Sequence, residues 1–224
     1  QISAIYESQA DLFDRISGHW RTLSLLRPPH WGVVSWAKLG TYFRRPVLGD
    51  REPLALRNFE AFVAALRRVP ADRGDVGVFI GEIIEPPRMF DEKLLNLSGV
   101  RSIVLPLREA REKLSRFSPH HELALRFETA AAAVYENAHA VPRAFFAPDS
   151  GVVPTGASCV GQLTEANFDP LSQIVLDQGI SPDGSHVSTP EDRPTGRVSL
   201  ADINPVAVVI DVRTEQSGFV VLTD

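Results

Sequence analysis

The first half of the chain contains several segments in which apolar side chains recur every three or four positions. The clearest is residues 54–68, LALRNFEAFVAALRR, which is typical of an amphipathic helix with one face towards a core. Weaker versions of this period predict helices at residues 4–17 and 88–98, and Gly99 suits the end of the second one. The densely charged segment 106–117 predicts a solvated helix.

Other segments in this half have the pattern of β-strands. Short apolar runs predict strands at residues 21–26 and 102–105. Residues 123–136 carry conflicting signals, because their alanine content favours a helix whereas the alternation from Leu123 to Phe127 favours a strand. Pairing within a sheet can outweigh a helix preference of roughly a few tenths of a kcal/mol per residue. We therefore predict that residues 123–136 are mainly extended.

After Arg143 the helical patterns give way to short β-prone runs at residues 144–146, 174–176 and 206–210. The stretches between them are rich in turn residues, and the longest, residues 178–198, predicts a loop. We therefore predict an α+β protein. In this prediction residues 1–143 form a mixed α/β subdomain, and residues 144–224 form a mainly β, sandwich-like subdomain.

Both ends of the sequence indicate a piece of a longer protein. The chain starts at Gln1, and its single methionine is Met89. Residues 218–224 form a β-type run with no following partner, so we expect the parent protein to continue and this subdomain to be truncated. The sequence has no secretion signal in its first 20 residues and no window of about 20 apolar residues that would span a bilayer.

The composition is that of an ordinary globular protein and excludes some classes of function. Of 224 residues, 44% are apolar and 23% are charged, so the chain is neither disordered nor fibrous. The net charge of -5 argues against a general nucleic-acid binder, and we predict no nucleic-acid partner. The acidic excess lies in residues 144–224, which hold 3 basic and 11 acidic residues.

The sequence shows no pattern that is typical of a catalytic, cofactor-binding or metal-binding site. His120-His121-Glu122 is the densest group of possible metal ligands, but adjacent side chains diverge on a helix and on a strand. Cys159 would need a nearby base to act as a nucleophile, and an inert thiol is the commoner role. We therefore predict no catalytic residue, no cofactor and no metal.

Two other groups of residues allow a function directed at carbohydrate. Glu82 and Glu85 could form the carboxylate pair of a hydrolase, although nothing in the sequence fixes their separation. A set of aromatic residues suits either a core or a surface that stacks on sugars. It comprises Trp20, Trp31, Trp36, Tyr42 and Phe43.

Several stretches of the chain, in order, resemble YfhO-like bacterial membrane proteins. LLNLSGVRSIV at residues 94–104 resembles their lLNllgVRYiv motif, with Ser102 in place of the usual tyrosine. YEN at residues 135–137 and VPRAFF at residues 141–146 resemble their yEN and lPRaf motifs, and FDP at residues 168–170 resembles their fDP motif. Looser similarity extends over residues 49–59, 204–212 and 218–224.

The resemblance implies that the parent is a polytopic membrane protein similar to multi-spanning lipid-linked-sugar glycosyltransferases. This chain would be an extracytoplasmic domain on the outer face of a bacterial membrane, tethered by transmembrane helices that it lacks. In such enzymes the catalytic acid lies in a loop between early membrane helices, so the domain itself would be non-catalytic. Its partners would be the membrane-embedded part of the same parent chain and a glycan or lipid-linked sugar. Two interpretations stay open beside it: a stand-alone glycan- or protein-binding module, and a hydrolase with an unrecognised carboxylate pair.

Four polar residues of these motifs have structural roles that follow from their chemistry. Arg143 lies among apolar residues, so we expect it to be largely buried and paired with a carboxylate, of which Glu136 is the nearest in sequence. Asn137 and Asp169 suit turns, because their side chains can bond to nearby backbone groups. The alternative role of all four is a surface that contacts a ligand or partner.

Overall fold

A computed structural model of the chain forms two compact units, Gln1–Ala140 and Val141–Asp224. It describes residues 11–16, 20–24, 57–66, 90–114, 117, 122–148, 152–153, 159–176, 196–204 and 207–223. Val141 belongs to the apolar core of the second unit, where it packs with Phe145 and Ala147. The units therefore divide three residues before the boundary placed after Arg143 by the charge pattern.

The first unit is built on a four-stranded sheet. In chain order its elements are a helical turn at residues 11–15, β1 (Arg21–Ser24), α1 (Arg57–Leu66), α2 (Glu92–Leu97), β2 (Val100–Pro106), a 3-10 turn (Leu107–Glu109), α3 (Ala110–Leu114), β3 (Leu123–Glu128) and β4 (Ala132–Asn137). The strand order is β1-β2-β4-β3, in which β1 and β2 are parallel and the other pairs are antiparallel. The structure confirms four predicted elements over their described parts: the helices around residues 54–68 and 88–98 and the strands around residues 21–26 and 102–105.

One face of the sheet is covered by the N-terminal helical turn. Leu12, Phe13 and Ile16 pack there against Val104, Ala132 and Val134 in one buried cluster. These three positions fall on one side of the chain at this turn, as the period of residues 4–17 predicts. Residues 4–10 and 17, the rest of that predicted helix, lie outside the described residues. This apolar cluster fixes where the turn ends, and it thereby sets one wall of the pocket described below.

Helix α2 and strand β2 are joined by a tight turn that requires glycine. Asp91 caps the helix, since its side chain accepts a hydrogen bond of 3.2 Å from the backbone N–H of Leu94. Gly99 then adopts a φ of 67°, a left-handed conformation that costs glycine little. The prediction that Gly99 ends this helix is confirmed.

Residues 123–136 are mainly extended, as the alternation of apolar residues predicts. They form the hairpin of β3 and β4, and Thr129 stabilises its turn by accepting hydrogen bonds from the N–H groups of Ala131 and Ala132. The alanines of β4 are buried in the sheet, where Ala133 is 0% exposed. Burial and pairing therefore outweigh the helix propensity of alanine in this segment.

The second unit is mainly β. Its elements are β5 (Ala144–Pro148), β6 (Val152–Val153), α4 (Cys159–Leu163), β7 (Ile174–Val175), β8 (Gly196–Asn204), β9 (Ala207–Thr214) and β10 (Gly218–Leu222). The described strands form three two-stranded ladders: β5 with β10, β6 with β7, and β8 with β9. A mixed first unit and a mainly β second unit make up the predicted α+β fold.

Two expectations for this unit are wrong. Strand β8 begins inside the predicted loop of residues 178–198. Its first three residues, Gly196, Arg197 and Val198, pair with the last three residues of β9. The run from Gly218 to Leu222 has a partner in the chain, since it pairs antiparallel with Ala144–Pro148, which lies about 70 residues earlier in sequence. A search for a following strand misses such a partner.

Candidate functional site

A pocket of about 480 Å³ opens in the first unit beside the covered face of the sheet. The charged and aromatic residues that line it are Arg15, Trp20, Arg101, Arg126, Phe127 and Glu136. We call this pocket the arginine groove. Its residues come from the N-terminal helical turn and the residue after it, from Trp20 just before β1, and from strands β2, β3 and β4, so only the folded sheet brings them together.

Arg101 reaches the groove because strand β2 contains an extra residue there. Along the β1–β2 ladder, Arg21 pairs with Val100 and Thr22 pairs with Ser102, so Arg101 is left between two paired positions. Such a β-bulge breaks the strict alternation of side chains and redirects the extra one. Arg101 and the following Ser102 therefore both line the groove, although adjacent residues of a regular strand point to opposite faces.

Arg126 is placed in the same way on the other side of the groove. In the β3–β4 ladder, Leu125 pairs with Tyr135 and Phe127 pairs with Val134, which makes Arg126 the extra residue. Arg126 and Phe127 both line the groove as a result. Two bulges, on the strands that flank β4, thus turn one arginine each towards the same carboxylate.

That carboxylate is Glu136 of β4, and it binds both arginines. Nε of Arg101 donates to Oε1 at 2.9 Å, and Nε of Arg126 lies 2.7 Å from Oε2. The side chain of Glu136 is 17% exposed, whereas those of Arg101 and Arg126 are 41% and 59% exposed. The carboxylate is therefore the inner member of the group, and the guanidinium groups face the open pocket.

Two aromatic rings hold the cations as well. The guanidinium carbon of Arg101 lies 4.8 Å from the centre of the Trp20 ring, and that of Arg15 lies 4.0 Å from the centre of the Phe127 ring. Both distances are within the range of cation–π attraction. Each arginine of the groove thus contacts an aromatic ring, Glu136 or both, so the groove presents positive charge in a fixed arrangement.

Of the four motif residues singled out from the sequence, Glu136 lies in the groove and Asn137 lies directly beside it. Glu136 was expected to pair with Arg143; this partner is wrong, because the bulges bring Arg101 and Arg126 to it. Asn137 is 0% exposed, and its amide nitrogen donates to Asn96 Oδ1 at 2.8 Å and to the carbonyl of Val100 at 2.9 Å. Asn137 therefore ties the end of β4 to the turn before β2.

Arg143 and Asp169 belong to the second unit. Arg143 is half-buried, which is less than the burial we expected, and its carbonyl accepts a hydrogen bond of 2.9 Å from the N–H of Thr223. Asp169 starts a turn: Oδ1 accepts from the N–H of Leu171 at 3.0 Å, and Oδ2 accepts from Ser172 Oγ at 2.8 Å. These bonds are those of an Asx turn, the local role that suits an Asp-Pro pair.

The other candidate residues gain no site from the structure. Cys159 is half-buried at the start of α4, and the described residues contain no group of three His, Cys, Asp or Glu side chains that could hold a metal. His120, His121, Glu82 and Glu85 lie outside the described residues, as do Trp31, Trp36, Tyr42 and Phe43. In the part of the chain that the structure covers, no helix is both long and apolar enough to cross a membrane.

Comparisons of the chain with models of protein families, with curated proteins and with solved structures give no match.

Sequence reasoning missed most of the groove. Trp20 was recognised as an aromatic that could serve a surface, but Arg15, Arg101, Arg126 and Phe127 were not singled out. One local signal was available: Arg101-Ser102 interrupts the apolar run of β2 with two polar residues in succession. In a buried strand such an interruption indicates a bulge or an edge at a polar site.

Proposed function

We propose that the chain is a non-catalytic binding domain and that the arginine groove is its ligand site. The observation that carries the proposal is the pair of β-bulges that turn Arg101 and Arg126 onto Glu136. Bulges beside a pocket commonly redirect side chains for a function, and they interrupt the ladders that stabilise the sheet. A pocket of about 480 Å³ falls in the size range of small-molecule sites.

The setting that we propose is the outer face of a bacterial membrane, in a YfhO-like parent of the lipid-linked-sugar glycosyltransferase type. The support is the sequence resemblance, and two of its stretches supply the groove: residues 94–104 contain Arg101, and residues 135–137 contain Glu136. In this setting the domain recognises a glycan or lipid-linked sugar, or the membrane-embedded part of the same parent chain. A stand-alone binding module would use the same groove without that setting.

A glycan hydrolase is the second alternative, and the groove favours it less. Hydrolysis of a glycosidic bond generally needs two carboxyl groups on opposite sides of the bond. Among the described lining residues Glu136 is the single carboxylate, and two guanidinium groups engage it. Each of its two oxygens already contacts an arginine, so the described lining offers no free pair of carboxylates to flank a glycosidic bond.

The test is a binding screen of the intact 224-residue chain against neutral and charged oligosaccharides and polyprenyl-linked sugars. We expect at least one saccharide to bind, and we expect Arg126→Ala to weaken that binding. Arg108→Ala is the matched control, since it removes an exposed arginine outside the groove. Absence of binding to every saccharide, or equal binding by the Arg126→Ala variant, would contradict the proposal, and release of free sugar would favour the hydrolase.

A further inference from the structure

We infer that the arginine groove binds a phosphate group, that Arg101 and Arg126 grip its oxygens, and that Glu136 positions both arginines. This inference rests on the proposed binding function and names the chemical group that the groove recognises. Three observations support the phosphate: the guanidinium donors that Glu136 leaves unused, the charge of the groove and the size of the groove.

Glu136 engages only part of each guanidinium. An arginine side chain has five N–H donors, and its two terminal nitrogens form a fork that fits two oxygens of an oxyanion. Glu136 contacts Nε of Arg101 and Nε of Arg126. In the described part of the chain neither guanidinium makes another hydrogen bond or ion pair, so both terminal forks stay available for a ligand.

The charge of the groove favours an anion. Among the described lining residues there are three arginines, Arg15, Arg101 and Arg126, against one carboxylate, that of Glu136, an excess of two positive charges. Arg101 and Arg126 contact the same carboxylate and therefore lie close enough to repel each other. A doubly charged oxyanion between the forks would relieve that repulsion.

The presence of two forks favours phosphate over carboxylate. A carboxylate has two oxygens in one plane, which match one fork, whereas a tetrahedral phosphate presents oxygens in several directions and can bind two. The pocket of about 480 Å³ is larger than the oxyanion alone, and part of its lining is apolar, from Ile16, Phe127 and Val134. The ligand is therefore a phosphate carried by a larger group, such as a sugar or a lipid headgroup.

The first experiment is calorimetric titration of the intact chain with glucose 1-phosphate, and with glucose as the uncharged comparison. We expect glucose 1-phosphate to bind and glucose to bind at least about tenfold more weakly. Arg101→Lys and Arg126→Lys keep the charge but remove the fork, so each should raise the Kd for glucose 1-phosphate by about tenfold or more. Arg108→Lys, an exposed position outside the groove, should leave the Kd unchanged.

Glu136→Gln tests whether Glu136 positions the arginines, because positioning and simple charge attraction change the affinity for the anion in opposite directions. Coulomb attraction alone predicts tighter binding of an anion, because the substitution removes a nearby negative charge. Positioning predicts weaker binding, by about tenfold, because a neutral amide cannot hold two guanidinium groups in place. Thermal unfolding checks that the variant is folded, and tighter binding by a folded variant overturns the role of Glu136.

A third arm distinguishes the sources of the phosphate and separates this inference from the proposed function. Vesicles that contain phosphatidylglycerol test binding of a lipid headgroup, whereas glucose 1-phosphate tests binding of a sugar phosphate. If the wild type binds either probe and the Arg101→Lys and Arg126→Lys variants lose that binding, the inference is supported. If a neutral glycan binds in the groove and neither phosphate probe does, the phosphate inference fails and the binding function stands. If Arg108→Lys weakens binding as much as the groove variants, the attraction is general and the inference fails.

Discussion

The amide nitrogen of Asn137, a fully buried residue, donates a hydrogen bond of 2.8 Å to Oδ1 of Asn96 in the last turn of α2. The same nitrogen donates to the carbonyl of Val100, and Oδ1 of Asn137 accepts from the N–H of His139 at 3.0 Å. One side chain thus satisfies a half-buried acceptor, a buried acceptor and one donor at the place where β4, α2 and β2 meet. Its contribution is to the stability of the first unit, next to the groove.

Asn137→Ala should lower the free energy of unfolding of the first unit by about 2–3 kcal/mol, because it leaves buried polar groups without partners. Asn137→Asp should cost more at neutral pH, since its carboxylate would face two acceptor oxygens. Denaturant unfolding measures both effects, with Asn167→Ala, at an exposed position of the second unit, as the control. Equal stability of wild type and Asn137→Asp would show that the network contributes nothing.

In the second unit, Phe146 leaves no room for a side chain at two glycines. A Cβ at Gly196 would lie 2.5 Å from the Phe146 ring, and a Cβ at Gly218 would lie 2.5 Å from that ring and would also clash with the carbonyl oxygen of Ala147. Gly196→Ala and Gly218→Ala should each destabilise this unit by about 1–3 kcal/mol through overpacking.

A double-mutant cycle with Phe146→Leu separates the two glycines. At Gly196 the clash is with Cβ, Cγ and Cδ1 of Phe146, atoms that leucine also has, so Phe146→Leu should relieve little of it. At Gly218 the nearest ring atoms are Cζ and Cε2, which leucine lacks, so Phe146→Leu removes that part of the clash and leaves the part with the carbonyl oxygen of Ala147. Thermal unfolding should therefore show coupling with Phe146 mainly at Gly218, and coupling of equal size at both glycines would contradict this packing.

Arg126→Ala should change the stability of the first unit by less than about 1 kcal/mol. Its side chain is 59% exposed, and ion pairs with exposed members contribute little in water. Melting curves in low and high salt check this, and the small difference should shrink further in high salt. A loss of several kcal/mol would mean that the arginine serves the fold, and binding defects of this variant would then need a different interpretation.

Phe13→Ala should destabilise the first unit strongly, by about 3–5 kcal/mol, because Phe13 is 1% exposed within the cluster on the sheet. It should also weaken ligand binding, since the same helical turn carries Arg15 to the groove. Asp11→Ala, on the exposed side of the turn, is the control for both measurements. Unchanged unfolding of Phe13→Ala in denaturant would show that the turn does not cover the sheet.

The sequence predicts local elements well where their cause is local. The period of residues 54–68 predicts helix α1, Gly99 predicts the end of α2, and the alternation from Leu123 to Phe127 predicts β3. Each of these predictions depends only on residues that are close in sequence, inside a single helix, strand or turn. Strand β10 shows the limit, because its partner β5 is distant in sequence and no local pattern identifies it.

The groove could not be predicted for the same reason. Arg101 and Arg126 become its cations only because β2 and β3 each carry one residue more than the strand beside them, and that surplus exists only once the strands are paired. Glu136 was selected from the sequence, but with Arg143 as its partner. Which of Arg101, Arg126 and Arg143 pairs with Glu136 depends on the register of the strand ladders, and spacing along the chain does not reveal that register.

The two bulges also make the groove and a regular sheet mutually exclusive. Deleting the single residue Arg126 would make Leu125 and Phe127 consecutive in an unbroken ladder with β4. Deleting Arg101 would make Val100 and Ser102 consecutive in an unbroken ladder with β1. A chain with both deletions could keep every other strand pair while losing its two clustered cations. Under the proposed function, a relative with one-residue gaps at these two positions is therefore expected to fold and to lack the ligand site.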